Sequence, residues 1–159
     1  MNELSIDAVV NGQSVTATVP ANRTLSEFLR DDLGLTGTKV SCALELCGTC
    51  TVLVDGAPVS ACTFLAAEVD GADVLTVEGL ARDDGELDPL QRAFVEHGAF
   101  QCGFCTPGML LTAKALLARD PDPDEAAIRE ELHGNICRCT GYVPIVEAIQ
   151  AAARELRAG

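Results

Sequence analysis

An α+β chain in two units is predicted by three observations. Apolar residues alternate along much of the first half, which is the period of half-buried strands. After residue 88, helix-start signals and helical spacing take over. Eight cysteines divide evenly between the two halves, four to each.

In the first half, residues 3–10 place Leu4, Ile6, Ala8 and Val10 on one side of a strand. Asn11-Gly12 is a two-residue hairpin signal, and residues 13–19 resume the alternation through Val15, Ala17 and Val19. Thr24-Leu25-Ser26-Glu27 fits a capping box, so a short helix is expected over residues 25–32. Its apolar positions Leu25, Phe28, Leu29 and Leu33 have the spacing of one helix face. Further strands are expected at 51–54, at 58–62 beyond the turn pair Asp55-Gly56, and at 74–77. Two hairpins with one helix across a small mixed sheet form a β-grasp pattern.

The acidic stretch 79–88 has no periodicity and reads as a linker between residues 1–78 and residues 89–159. Asp88-Pro89 then supplies an N-cap followed by Pro at the first helical position. Thr106-Pro107 is expected to repeat the device and open a helix over 109–118. A third helix should start at Asp124 or Glu125, run through Ile128 and Leu132, and stop at His133-Gly134-Asn135. A fourth is expected over 144–156, closed by Arg154 and Arg157. Four short helices imply a bundle.

Composition excludes several functions. A net charge of −13 opposes binding to a phosphate backbone, so nucleic acid is not an expected partner, and the acidity reads as solubility. Apolar stretches are too short and too interrupted for a membrane span. The opening MNELSIDAVVNGQSVTATVP reads as alternating strand without export features, so a cytoplasmic location is expected. No Gly-rich phosphate loop occurs, so the chain is not expected to bind a flavin or nicotinamide cofactor itself.

The cysteines carry the chemistry. Cys42, Cys47, Cys50 and Cys62 have the C-x4-C-x2-C…C spacing of plant-type [2Fe–2S] ferredoxins. Gly48 and Thr49 are small enough to let backbone N–H groups approach anionic sulfur. Cys102, Cys105, Cys137 and Cys139 form the second set, in QCGFCTPG and GNICRCTG. The first pair precedes a helix start, where the dipole favours thiolate. Cys137-Arg138-Cys139 cannot share a helix face and must lie in a turn. Structural zinc and disulfides are the competing readings; the spacing fits zinc poorly, and a reducing compartment disfavours disulfides. A free-standing two-cluster ferredoxin shuttle is the alternative to a subunit.

The segments CALELCGTCTVLV (42–54), QCGFCTPGM (101–109) and GNICRCTGY (134–142), in that order, resemble the small iron–sulfur subunit of the molybdenum hydroxylases. That group contains xanthine dehydrogenase, aldehyde oxidoreductase and aerobic carbon monoxide dehydrogenase. The resemblance covers nearly the whole chain. It implies two [2Fe–2S] clusters, a β-grasp domain holding the Cys42 set and a four-helix domain holding the Cys102 set. It also implies a large molybdenum–pterin partner subunit and a medium FAD subunit, assembled as a dimer of heterotrimers. Electrons would pass from molybdenum to the second cluster, the first cluster and FAD.

Gln101 matches the position that hydrogen-bonds the pterin, with loop-backbone bonding as its other reading, and Cys139 matches the ligand beside the pterin amino group. Glu45 stands where many members have Gly, and a charge there could lower the first cluster's potential. Arg138 could tune a cluster or pair with a partner. His97 and His133 are surplus to the eight sulfurs and read as surface or capping residues, and no residue constellation argues for substrate chemistry on this chain.

Overall fold

The computed structural model describes residues 2–82 and 84–158; Met1, Gly159 and Asp83, the last within the expected linker, lie outside the described residues. Strand β1 (Glu3–Val10) pairs antiparallel with β2 (Gln13–Pro20), in the register Val10↔Gln13. Asn11 and Gly12 both adopt positive φ, 50° and 77°, as the tight hairpin turn requires. Ile6, Ala8 and Val10 are buried on one face as the alternation predicts, whereas Leu4 at the strand's outer end is exposed.

A second hairpin joins β3 (Thr51–Val54) to β4 (Ala57–Ser60) through Asp55 and Gly56, again both left-handed. Strand β5 (Asp73–Leu75) lies between the hairpins, parallel to β1 and antiparallel to β3, giving the mixed order β2-β1-β5-β3-β4. The sequence overestimates both short strands. β4 ends at Ser60 because Thr63 N–H turns back to the Ser60 carbonyl, which lifts Cys62 off the sheet. β5 ends at Leu75 because the N–H of buried Thr76 donates to Asn11 Oδ1, and a 3-10 turn over Val77–Gly79 follows.

Helix α1 (Leu25–Glu27) opens with the expected capping box on Thr24. The chain then continues over Phe28–Asp32 in the wider π winding, with Leu33 N–H reaching the Phe28 carbonyl. Phe28 and Leu29 are fully buried beneath the sheet.

The second half folds as four helices. In α2 (Pro89–Glu96), Asp88 caps Leu90 N–H while Gln91 returns a bond to Asp88 N–H. Asp88 is only 8% exposed, and Lys114 of α3 pairs with it. Helix α3 (Thr106–Arg119) starts three residues before the position expected from Thr106-Pro107. Cys105, not Thr106, is its N-cap, with no side-chain capping bond, and Pro107 takes the second helical position, where its missing N–H is not needed. Helix α4 (Glu125–Glu131) is capped by Asp124 and runs into a 3-10 turn, Leu132–Gly134; α5 (Val143–Ala158) completes the bundle. Two groups of buried apolar residues result, one under the sheet and one among the helices. Leu53 of β3 and Leu80 from the connecting stretch pack into the helical group, and α3 lies against β3.

Candidate metal centres

The loop carrying Cys42 and Cys47 is shaped by two left-handed residues that are not glycine, Ala43 (φ 53°) and Glu45 (φ 59°). Alternation of this kind turns successive amides to one side and makes an anion-binding nest. Leu44 N–H and Leu46 N–H both donate to Cys42 Sγ at 3.4 Å. These two amides, joined by the Cys47 thiol, bring the Cys42 thiol down to about 6. Cys50 and Cys62 are buried side by side, and Ala61 N–H donates to the Cys50 carbonyl at 3.3 Å. Burial pushes Cys50 up to about 12.

Named side chains build the second centre. Cys137 Sγ lies 3.0 Å from Thr140 Oγ1 and accepts Thr140 N–H at 3.4 Å. Burial pushes the Cys137 thiol up, but the Thr140 hydroxyl and the amides of Cys139 and Thr140 outweigh it, and the net direction is down. The Tyr142 hydroxyl accepts Cys137 N–H at 2.9 Å and donates to the Asn135 carbonyl at 3.2 Å, clamping the turn. Gln101 Nε2 donates to the Cys139 carbonyl at 2.9 Å and joins the two cysteine loops. Burial, then the neighbouring Cys137 thiol, pushes Cys105 up to about 12. The Cys102 thiol likewise raises its neighbour Cys139.

The eight sulfurs stand in four neighbouring pairs: Cys42 with Cys47, Cys50 with Cys62, Cys102 with Cys139, and Cys105 with Cys137. Cys102 Sγ and Cys139 Sγ are 3.6 Å apart. Two thiolates on one tetrahedral metal with ~2.3 Å bonds are separated by roughly 3.8 Å, so the Cys102–Cys139 pair suits one metal ion. No three potential ligands among the described residues close around a single point. Two-plus-two donors suit two irons bridged by sulfide better than one tetrahedral zinc. The residues present fit [2Fe–2S] clusters. A cationic core would also compensate the buried Cys50 and partly buried Cys105 sulfurs, which are thiols in its absence.

The two centres meet directly. Ile136 N–H donates to the Cys47 carbonyl at 2.9 Å, and Asn135 Nδ2 donates to the Gly48 carbonyl at 3.0 Å. Asn135 also accepts from the Thr112 hydroxyl at 3.0 Å, so one buried amide ties the ferredoxin-like loop, α3 and the second cysteine turn. Gly48 and Gly108 allow this approach: a Cβ on Gly48 would strike the Gly134 carbonyl, and one on Gly108 the Gly48 carbonyl.

Two family models match the chain, one described as a 2Fe-2S iron-sulfur cluster binding domain over residues 8–81 and one as a [2Fe-2S] binding domain over residues 76–150. The nicotinate dehydrogenase small FeS subunit of Eubacterium barkeri is 45% identical, covering 96% of each chain. The chain belongs to the iron–sulfur subunits of the molybdenum hydroxylases. Like other members of that family it carries two [2Fe–2S] clusters. The solved structure of quinoline 2-oxidoreductase from Pseudomonas putida 86 matches with a TM-score of 0.94 at 45% identity, over 99% of this chain and 98% of that one. Aldehyde oxidoreductase from Desulfovibrio gigas gives a TM-score of 0.93 at 43% identity, covering 98% of this chain but 17% of that longer one.

Among the remaining sequence candidates, Arg138 is exposed beside a cavity of about 200 Å³ lined by Cys47, Cys102, Cys105 and Cys139. His97 ends α2 on the surface, and His133 is 84% exposed beside Glu130. Sequence reasoning missed Asn135, Ile136, Thr140 and Tyr142 as parts of the site. Their adjacency to Cys137 and Cys139 was the available signal; the Gly48 carbonyl that Asn135 reaches, 87 residues away in the chain, was not.

Proposed function

We propose that this chain is the electron-carrying subunit of a molybdenum-dependent hydroxylase. Cys42, Cys47, Cys50 and Cys62 hold its first cluster, and Cys102, Cys105, Cys137 and Cys139 its second. The boundary between the two units falls within residues 79–88. When bound, each cluster accepts and returns electrons. The chain's own contribution is to fix the sulfurs, to shield Cys50, Cys62 and Cys137 from water, and to connect the two centres. The observation that carries this reading is the 2.9 Å backbone hydrogen bond from Ile136 N–H to the Cys47 carbonyl. It links a first-cluster ligand to the residue preceding Cys137, a second-cluster ligand, by one hydrogen bond and otherwise covalent bonds.

Exposed Cys102 and Cys139 form the outward end of the second centre, facing a large molybdenum–pterin subunit, with Gln101 beside them. Gln101 has one amide N–H on the Cys139 carbonyl. Its carbonyl oxygen and second N–H remain to meet a pterin. The Cys42–Cys47 loop, where Leu44 and Leu46 are each 67% exposed, faces a medium FAD subunit. The assembly is a dimer of heterotrimers. A cytoplasmic location suits eight free thiols that must load iron; no helix among the described residues is long and apolar enough to cross a membrane.

Affinity purification of the tagged chain from its native host tests the reading. A large molybdenum protein and a flavoprotein are expected to copurify in stable ratio. A lone soluble chain that reduces several unrelated enzymes would instead establish the free shuttle.

A further inference from the structure

We propose that Glu45 is a redox-tuning residue that holds a carboxylate against the first cluster's ligand shell and lowers that cluster's midpoint potential relative to the second. The inference rests on the two-cluster reading above and concerns a residue that is not a ligand. Glu45 occupies the left-handed region at φ 59°, where glycine carries no steric penalty and a side chain costs stability. Here Thr63 Oγ1 donates to Glu45 Oε2 at 3.2 Å.

That bond spans the centre. Glu45 sits between Leu44 and Leu46, whose amides both feed Cys42 Sγ. Thr63 directly follows Cys62, which belongs to the other sulfur pair. The carboxylate therefore links the loop of one pair to the chain segment of the other, at an exposed position and through a hydroxyl that also lies 3.3 Å from the Ser60 carbonyl.

Its charge is also uncompensated. Glu45 lines a groove together with Glu68 and Glu131. Glu68 is engaged by Leu65 N–H, and Glu131 is paired with Arg119 at 2.7 Å. Among the described residues no lysine, arginine or histidine pairs with Glu45. A negative charge beside a cluster disfavours adding an electron to it, and the Thr63 bond favours orientations that keep that charge on the Cys62 side of the loop.

Three variants of the full cluster-loaded chain separate the charge from the Thr63 bond, read by redox titration followed with electron spin resonance. The second cluster serves as an internal reference. Glu45→Gln keeps an acceptor for Thr63 and removes the charge; the first cluster's midpoint should rise, shifting the electron's partition between clusters about threefold, or ~28 mV at 59 mV per tenfold. Glu45→Gly, which also relieves the backbone, should rise at least as far. Thr63→Val should produce a smaller rise in the same direction. A first-cluster midpoint unchanged in both Glu45 variants, with both signals intact, would overturn the proposal. A Thr63→Val midpoint equal to the parent's would overturn the role of the Thr63 bond. Absence of the two signals in the parent would instead remove the two-cluster reading on which this one stands.

Discussion

The two cysteine quartets solve one electrostatic problem with different materials. In the first, the backbone does the work: Ala43 and Glu45 adopt left-handed conformations so that Leu44 and Leu46 amides converge on Cys42. In the second, side chains do it: Thr140 bonds Cys137 Sγ, Tyr142 clamps the turn, and Gln101 ties Cys139. A loop shaped by its backbone tolerates changes of side chain but not of conformation. A turn shaped by side chains is broken by removing a single hydroxyl. Burial is shared, since each quartet contains buried sulfur, Cys50 and Cys62 in one and Cys137 in the other.

The largest effects should come from the buried ligands. Cys50→Ser and Cys137→Ser are each expected to lose one cluster, about two irons, while the other quartet keeps its signal. Iron and sulfide analysis with spin counting checks this. Because ligand loops and cluster fold together, complete iron removal should melt the turn around Cys137 before the sheet, seen as earlier loss of amide protection over residues 134–142. Equal thermal unfolding of apo and loaded protein would break the comparison.

Gly108→Ala attacks the junction between the quartets, where a Cβ meets the Gly48 carbonyl. Overpacking there should cost about 1–3 kcal/mol by denaturant unfolding. Electron exchange between the clusters should slow with it, as the Ile136–Cys47 bond is displaced.

Tyr142→Phe sharpens the contrast more finely. It leaves Cys137 N–H and the Asn135 carbonyl without their partner, at a cost of about 1–3 kcal/mol. The second cluster's spectrum should change while the first cluster's stays fixed.

Acidity distinguishes sulfurs within a quartet. Cys50 and Cys105, held up near about 12 by burial, take up a proton whenever iron leaves at any ordinary pH. Cys42, brought down to about 6 by the Leu44 and Leu46 amides, does so only below that value. Proton uptake on release means that acidification favours release. Chelator-driven cluster loss should therefore accelerate from pH 9 to pH 6, and more steeply below. A rate flat across that range would contradict the assignment of these thiols.

The smallest expected effect lies outside both centres. Thr24→Ala removes the capping box of α1 and should cost about 1 kcal/mol, moving neither cluster signal.

Much of this architecture was legible before the structure. Alternation over residues 3–10 and the pairs Asn11-Gly12 and Asp55-Gly56 specify both hairpins, because those turns demand left-handed residues that Asn, Asp and Gly supply. Asp88-Pro89 specifies the start of α2 for an equally local reason. What was hidden depends on distant contacts. The π winding at Phe28–Asp32 leaves no mark in a pattern that fits an ordinary helix just as well. The short β5 reflects Thr76 bonding Asn11 across the fold. The quartets were visible as spacing, yet nothing local indicates that Ala43 and Glu45 turn left-handed, or that Asn135 reaches Gly48. Ligand identity is a sequence property, whereas ligand environment belongs to the folded chain.

Iron, sulfide and zinc analysis of the purified chain, combined with spin counting after full reduction, tests the central assignment most directly. Two irons and two sulfides per cluster, with two distinct signals each near one spin, are the expected result. Zinc without sulfide, or a single signal of one spin, would contradict it.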